Sequence, residues 1–267
     1  MANTFRRNAL LRDEDLVSNP TPRIPICLCL DTSGSMGRTF GGTRTGRKLV
    51  IDGEEWNEVV GGTSCCSEMQ AGVEQFIREL REDENARYSA EISIVTFDDR
   101  ASCIVDFKGI DRLPEVPKLK TRDKTAIGEG VNLALDLLEK RKKEYKQNGV
   151  DYYQPWLVLM TDGEPNGDQM SLTRAINRSC DLVNTGKLTV FPIGIGKEAD
   201  LSTLSRFSPK RDALRLQGLE FQQFFTWLSQ SVEQTSRSVP GDHIALDVSL
   251  LEKLGTTEAV EGGWDKL

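Results

Sequence analysis

Histidine is almost missing from this chain: His243 is the one copy in 267 residues. That scarcity removes whole classes of chemistry. A Ser–His–Asp hydrolase needs an imidazole beside its nucleophile, and a cysteine enzyme needs one to draw off the thiol proton. Neither is expected with one histidine, remote in sequence. Zinc centres use the same side chain or paired cysteines. The cysteines show no such pairing: Cys27 and Cys29 alternate along an apolar run, Cys65 and Cys66 are adjacent, and Cys103 and Cys180 stand alone. They read as buried or half-buried reduced thiols.

Long apolar runs are missing too. None approaches the ~20 residues of a bilayer-crossing helix. The basic start, Met1 to Arg12, has no apolar stretch behind it to make a signal peptide. The expectation is a cytoplasmic protein with no membrane contact. Positive charge is not in excess, and a net charge of -7 argues against nucleic acid, whose phosphates need a basic face. Repeats and low-complexity tracts are absent. At 267 residues the chain can bury a core for one large α/β domain or, less comfortably, two small ones, and 38% hydrophobic residues is ordinary for a globular protein.

What is present is an alternation of short apolar runs and helical periods. Ile24 to Leu30 (IPICLCL) is apolar on both faces, as in a parallel strand. Residues 64–82 place Met69, Val73, Phe76, Ile77 and Leu80 on one helical face. Glu91 to Phe97 and Ser102 to Phe107 predict an antiparallel pair around a short turn. Residues 126–146 predict a helix carrying Val131, Ala134, Leu135 and Leu138 inward, with the basic run Lys140–Lys143 placed to suit its C-terminal dipole. A strand at Trp156 to Met160, a helix at 169–184, a strand at Leu188 to Ile193, a short helix at 200–206, a short strand at Leu214 to Leu216 and a last helix through Phe221 to Val232 follow. The order predicts an α/β fold: a doubly wound, mostly parallel sheet with one antiparallel edge strand and helices on both faces.

The domain organisation expected is an extended lead-in over 1–21, one domain over 22–236, and a tail over 237–267. Residues 37–62 interrupt the path from the first strand to its helix. Asp52-Gly53 between two β-prone runs is a hairpin signal, with Trp56 as the arm's main apolar contact. The tail holds Ile244, Leu246, Val248, Leu250, Leu251 and Leu254, too many apolar residues for a disordered linker, and Trp264 is a natural anchor.

The first strand runs straight into Asp31-Thr32-Ser33-Gly34-Ser35-Met36. In an open α/β sheet, loops at the carboxyl ends of central strands form the ligand crevice. The strand at 156–160 is followed by Thr161-Asp162-Gly163-Glu164 at the equivalent end, and Thr125 opens the helix between them. Asp31, Ser33, Ser35, Thr125 and Asp162 are two carboxylates and three hydroxyls. Hard oxygens without imidazole or thiolate suit Mg²⁺, or alternatively Mn²⁺ or Ca²⁺. Neutral hydroxyls leave the ion much of its charge, so an open position favours an incoming carboxylate.

Asp31-x-Ser33-x-Ser35 with Thr125 and Asp162 resembles the metal-ion-dependent adhesion site of von Willebrand factor A domains. The predicted elements are similar to that Rossmann-like fold over about residues 22–236. NPTPRIPICLCLDTSGSM, TAIGEGVNLALDLLEKRKKEYKQNGVDYYQPWLVLMTDGEP and GLEFQQFFTWLSQSVEQTSRSVPG resemble bacterial cytosolic members of the TerY/YegL kind. The resemblance implies that Ser33, Ser35 and Thr125 supply hydroxyl ligands. It implies that Asp31 and Asp162 act directly or through water, and that a partner's glutamate or aspartate takes the sixth position. It further implies a non-enzymatic interaction module, in a tellurite-resistance or stress setting with Ser/Thr kinase and PP2C-type phosphatase partners. Residues 37–62 depart from the compact family pattern.

Two other classes stay open from the residues. One is a metal-dependent hydrolase or phosphotransferase using Asp31 as nucleophile, although the second aspartate such enzymes carry two residues on is here Ser33. The other is a scaffold whose metal is purely structural. Arg38, Arg44, Arg47 and Lys48, with Lys118, Lys120, Arg122 and Lys124, predict a basic rim that would favour an acidic partner segment.

Overall fold

The computed structural model describes residues 16, 18–40, 42–51, 54–122, 124–163, 167–216, 220–252 and 263–267. In chain order the strands and α-helices are β1 (Ile24–Asp31), β2 (Thr39–Phe40), β3 (Thr43–Ile51), β4 (Glu54–Val60), β5 (Thr63–Ser64), α1 (Cys65–Glu82), α2 (Glu84–Ser89), β6 (Ala90–Phe97), β7 (Ala101–Gly109), α3 (Ile127–Asn148), β8 (Trp156–Thr161), α4 (Gln169–Asn184), β9 (Thr189–Ile195), α5 (Leu201–Ser205), β10 (Leu214–Leu216), α6 (Glu220–Ser236) and α7 (Ser249–Glu252).

The main sheet runs β10-β9-β8-β1-β6-β7. Every neighbour pair is parallel except β6 with the edge strand β7. This is the doubly wound, mostly parallel α/β sheet expected. Because the chain adds β6 on one side of β1 and returns with β8 on the other, strand order reverses beside β1. Parallel strands covered on both faces lose their polar alternation, and all of β1 is buried. Ile24, Ile26, Leu28 and Leu30 pack with α1 and α6, while Cys27 and Cys29 pack with α3 and α4.

Two details position the loops above the sheet. Ser64 caps α1 by accepting from the Ser67 amide at 3.1 Å. Gly128 lets α3 close on α4: a β-carbon there would lie 2.4 Å from the Leu172 backbone nitrogen.

Arg141 departs from the sequence expectation. It belongs to the Lys140–Lys143 run read as dipole-facing, yet it is 3% exposed. It donates to Glu91 Oε2 at 2.7 Å and Oε1 at 2.9 Å. Arg23 (3.2 Å) and the Tyr145 hydroxyl (2.6 Å) donate to the same carboxylate. Burying Glu91 is tolerable only because all these donors answer it. The basic residue in the last turn of α3 is Lys146.

Between β1 and α1 the chain makes a 3₁₀ turn (Gly34–Gly37) and then a two-stranded excursion. β3 and β4 pair antiparallel from Thr43↔Val60 to Ile51↔Glu54, with a register shift between Arg44 and Lys48. β2 pairs with β5 at its base. The Asp52-Gly53 turn and the Trp56 side chain lie outside what is described. At the far end of the chain, Trp264 is 1% exposed. Its ring centroid is 5.6 Å from Phe191 and 5.5 Å from Trp227.

Candidate metal centre

β1 and β8 end side by side, with Leu30 opposite Met160 in the ladder. That register brings Asp31 and Thr161 level, one residue further on. Asp31 is fully buried. Its Oδ1 accepts from the Ser33 amide at 2.7 Å, and its Oδ2 accepts from the Thr161 hydroxyl. Past Ser33 the chain turns at Gly34–Gly37, so the Ser33 and Ser35 hydroxyls lie 3.0 Å apart. The Ser35 hydroxyl donates to Asp162 Oδ1 at 2.6 Å. Thr125 completes the group: its Oγ1 lies 3.5 Å, and Ser35 Oγ 3.9 Å, from where a Gly163 β-carbon would sit. The structure therefore brings Asp31, Ser33, Ser35, Thr125 and Asp162 to one place.

The irregular segment before Thr125 is held from two sides. The Arg122 amide donates to the Thr32 carbonyl at 2.8 Å, and the Ala126 amide donates to the Asp98 carbonyl at 2.9 Å. Those bonds tie the segment before α3 to the loops after β1 and β6.

The electrostatics favour a cation here. Burial pushes the Asp31 carboxyl up to about 7, against the pull of the Thr161 and Ser33 hydrogen bonds, and nearby Asp162 adds to the rise. Asp162 is also pushed up, first by burial, with the Ser35 hydroxyl and the field of Arg38 opposing. Among the described residues no ion pair reaches either carboxylate. Two crowded carboxylates short of countercharge, joined by neutral hydroxyls, form the donor set that a hard divalent ion would satisfy. The residues fit such an ion, and no group of three His, Cys, Asp or Glu side chains is placed to offer another among the described residues.

A family model for the von Willebrand factor type A domain matches residues 26–164, just over half of the 267 residues. The chain belongs to that family. Domains of this family are often metal-dependent interaction modules. Solved structures agree in fold. The von Willebrand factor domain of the type V pili tip protein Mfa5 from Porphyromonas gingivalis is 11% identical with a TM-score of 0.54, covering 83% of this chain and 99% of that one. A von Willebrand factor type A protein from Catenulispora acidiphila is 14% identical at 0.52, covering 84% of this chain and 45% of that one. The PilB minor pilin from Streptococcus sanguinis is 14% identical at 0.50, covering 80% and 62%. The chain thus spans under half the Catenulispora protein, and at these identities the likeness is one of fold. A search of curated proteins gives no match.

In this von Willebrand factor A-type domain, Thr161 is the residue that sequence reasoning missed. A threonine ending an apolar strand reads as an ordinary β-branched residue, and only the β1–β8 register reveals its bond to Asp31. Cys65 and Cys66 also sit near the site, at the start of α1. The fields of Asp162 and Asp31 reach them, after burial, in raising their thiols. Of the rim residues, Arg38, Lys118, Lys120, Arg122 and Lys124 are exposed. Arg122 lies 3.9 Å from Asp98, and Lys48 on the excursion pairs with Glu55 at 2.5 Å. The Arg44 side chain and Glu164 lie outside what is described. His243 is exposed.

No helix among the described residues is long and apolar enough to cross a membrane.

Proposed function

We propose that this domain is a non-enzymatic module that uses a divalent cation, Mg²⁺ first with Mn²⁺ or Ca²⁺ as substitutes, to capture an acidic side chain of a partner protein. The observation that carries this is the convergence of Asp31, Ser33, Ser35, Thr125 and Asp162 with no ion pair to either carboxylate among the described residues. When bound, the ion supplies a positive charge that a partner's carboxylate can complete. The chain's own residues do the rest. Thr161 and the Ser33 amide orient Asp31, and the neutral hydroxyls leave the ion's charge largely uncancelled. Exposed Arg38, Lys120 and Lys124 bias the approach toward acidic surfaces.

Enzymatic use of the same crevice fits less well. A nucleophilic aspartate must reach its electrophile, whereas Asp31 is buried with both oxygens already engaged. Ser33 stands where a second carboxylate would be needed.

The family resemblance of the motif regions supports placing the protein in a bacterial cytoplasm, in a tellurite-resistance or stress system. Its partners there would be a Ser/Thr kinase and a PP2C-type phosphatase. Calorimetric titration of Mg²⁺ into the parent and Asp31→Ala tests the site, with circular dichroism to check the fold. Saturable binding lost in the variant is expected; unchanged affinity overturns the assignment. A pull-down with that kinase and phosphatase, with and without EDTA, tests the use made of the ion. Capture that survives EDTA would leave the metal a structural part only. Turnover in Mg²⁺-supported phosphatase or ATPase assays would overturn the non-enzymatic role.

A further inference from the structure

At the opposite end of the sheet a cavity of about 810 Å³ opens between Trp156 at the start of β8, Thr189 at the start of β9, and the tail. Six cationic side chains line it: Lys142 and Lys146 from the last turns of α3, Lys187 after α4, Lys210 and Arg211 before β10, and Lys266 from the tail. Asp242 is the acidic side chain among the described lining residues. Three of the cations have acidic neighbours: Lys142 pairs with Glu139, Lys266 lies 4.0 Å from Asp265, and the field of Asp265 also reaches Arg211. Such a concentration is unexpected in a chain of net charge -7.

Exposed lysines alone say little, because a charge run on a surface is ordinarily just solvated. Arg211 is different. It is 6% exposed, and its guanidinium carbon lies 4.8 Å from the Phe191 ring centroid and 5.8 Å from that of Trp264. One terminal nitrogen donates to the Lys266 carbonyl. Among the described residues the Nε–H has no hydrogen-bond partner and no carboxylate forms an ion pair with the group, although Asp265, whose buried Oδ1 also lacks a hydrogen-bond partner, is near enough for its field to act on it. Burial lowers its pKa to about 10, with Asp265 opposing, so it remains a cation at neutral pH. A buried cation with an unspent donor is costly unless something answers it. Guanidinium is the side chain best matched to phosphate oxygens. The cavity volume lies in the range of small-molecule sites, and Tyr152 and Trp156 give it an aromatic wall for an organic portion.

We infer that this cavity is a binding site for a small phosphorylated compound, anchored by Arg211 and ringed by Lys146, Lys187 and Lys210. It lies at the N-terminal ends of the parallel strands, away from the metal centre, and does not depend on it.

Calorimetry with inorganic pyrophosphate and with ATP, in excess EDTA so that the metal crevice takes no part, tests the inference. Sulfate at matched ionic strength controls for general anion attraction. One saturable site is expected for at least one of the two phosphates. The surface triple variant Lys146→Ala/Lys187→Ala/Lys210→Ala, which leaves the core untouched, should weaken it by about tenfold or more. Arg211→Lys keeps the charge but loses the fork and should also bind less, provided its melting temperature holds. Asp31→Ala should bind as the parent does. The inference is overturned if neither phosphate saturates at millimolar concentration, if sulfate binds equally well, or if the triple variant is unchanged. Binding of a poly-glutamate peptide without binding of either phosphate would overturn it too, and assign the cleft to a protein partner.

Discussion

The hydroxyl of Thr161, the last residue of β8, donates to Oδ2 of Asp31, the last residue of β1. Two adjacent parallel strands thus end in a linked pair, and Asp31 is left with its orientation set by Thr161 on one oxygen and the Ser33 amide on the other. A carboxylate aimed in advance loses less freedom when an ion arrives, and such outer partners commonly tune a ligand's affinity by 10–100-fold.

Thr161→Val keeps the volume and the β-branch but deletes the donor. Mg²⁺ affinity should fall by about tenfold or more, while the far-ultraviolet circular dichroism spectrum stays that of the parent. Titration calorimetry on the two proteins decides it. Equal affinities would show that Asp31 is held by the loop alone.

The strands of the main sheet and the longer helices were legible because burial and periodicity are local properties, whereas the short helix Glu84–Ser89 and the two-residue pairing of β2 with β5 carry too little pattern to read. Ile24 to Leu30 shows no polar alternation, and it lies in a strand covered on both faces, as β8 and β9 are. Asp31 was findable because a polar residue ending such a run stands out. Thr161 was not, since its role depends on which strand lies beside β8. Arg141 misled for a related reason: inside a basic run nothing marks the one side chain that turns inward to Glu91, fifty residues away in sequence. Cys103 differs from the expected burial because β7 is the sheet edge, with one face in solvent.

The thiols near the metal loops should be chemically quiet. Burial, followed by the field of Asp162, pushes Cys65 up to about 12, and Cys66 is raised for the same first reason. A thiol reacts through its thiolate, so at pH 8 the reactive form of Cys65 is scarce. Raising the pH toward 12 increases it. Iodoacetamide at pH 8 followed by peptide mass spectrometry should modify exposed Cys103 and leave Cys65 and Cys66 until the protein is unfolded. Early labelling at Cys65 would mean that the start of α1 opens readily.

Trp264 joins the end of the chain to the core. Its ring packs on Phe191 and Trp227, and its indole N–H donates to the Asp212 carbonyl at 3.0 Å. Trp264→Ala removes a large buried side chain and leaves that carbonyl unpaired, at a cost of about 3–5 kcal/mol. Urea denaturation followed by circular dichroism should show the midpoint falling with little change in slope. An unaltered midpoint would mean that residues 237–267 contribute nothing to the stability of the domain.

The β3–β4 excursion should govern partner choice. An ion at the crevice offers a contact that any acidic side chain can satisfy, so discrimination has to come from surfaces around it. The excursion is rooted beside that crevice: it leaves after the 3₁₀ turn carrying Ser35 and rejoins at Ser64, the cap of α1. Its Leu49, Val50 and Val60 are 40%, 71% and 59% exposed, and isolated apolar groups near charged ones are what interface anchors often look like. Replacing residues 42–61 with a short Gly-Ser link keeps β2, β5 and every proposed ligand. Mg²⁺ affinity and melting temperature should then stay close to the parent's, while affinity for a captured partner falls by about tenfold or more. Surface plasmon resonance with the partner, at saturating Mg²⁺, measures this directly. A shortened protein that binds as tightly as the parent would move the specificity to the rim formed by Lys118, Lys120, Arg122 and Lys124.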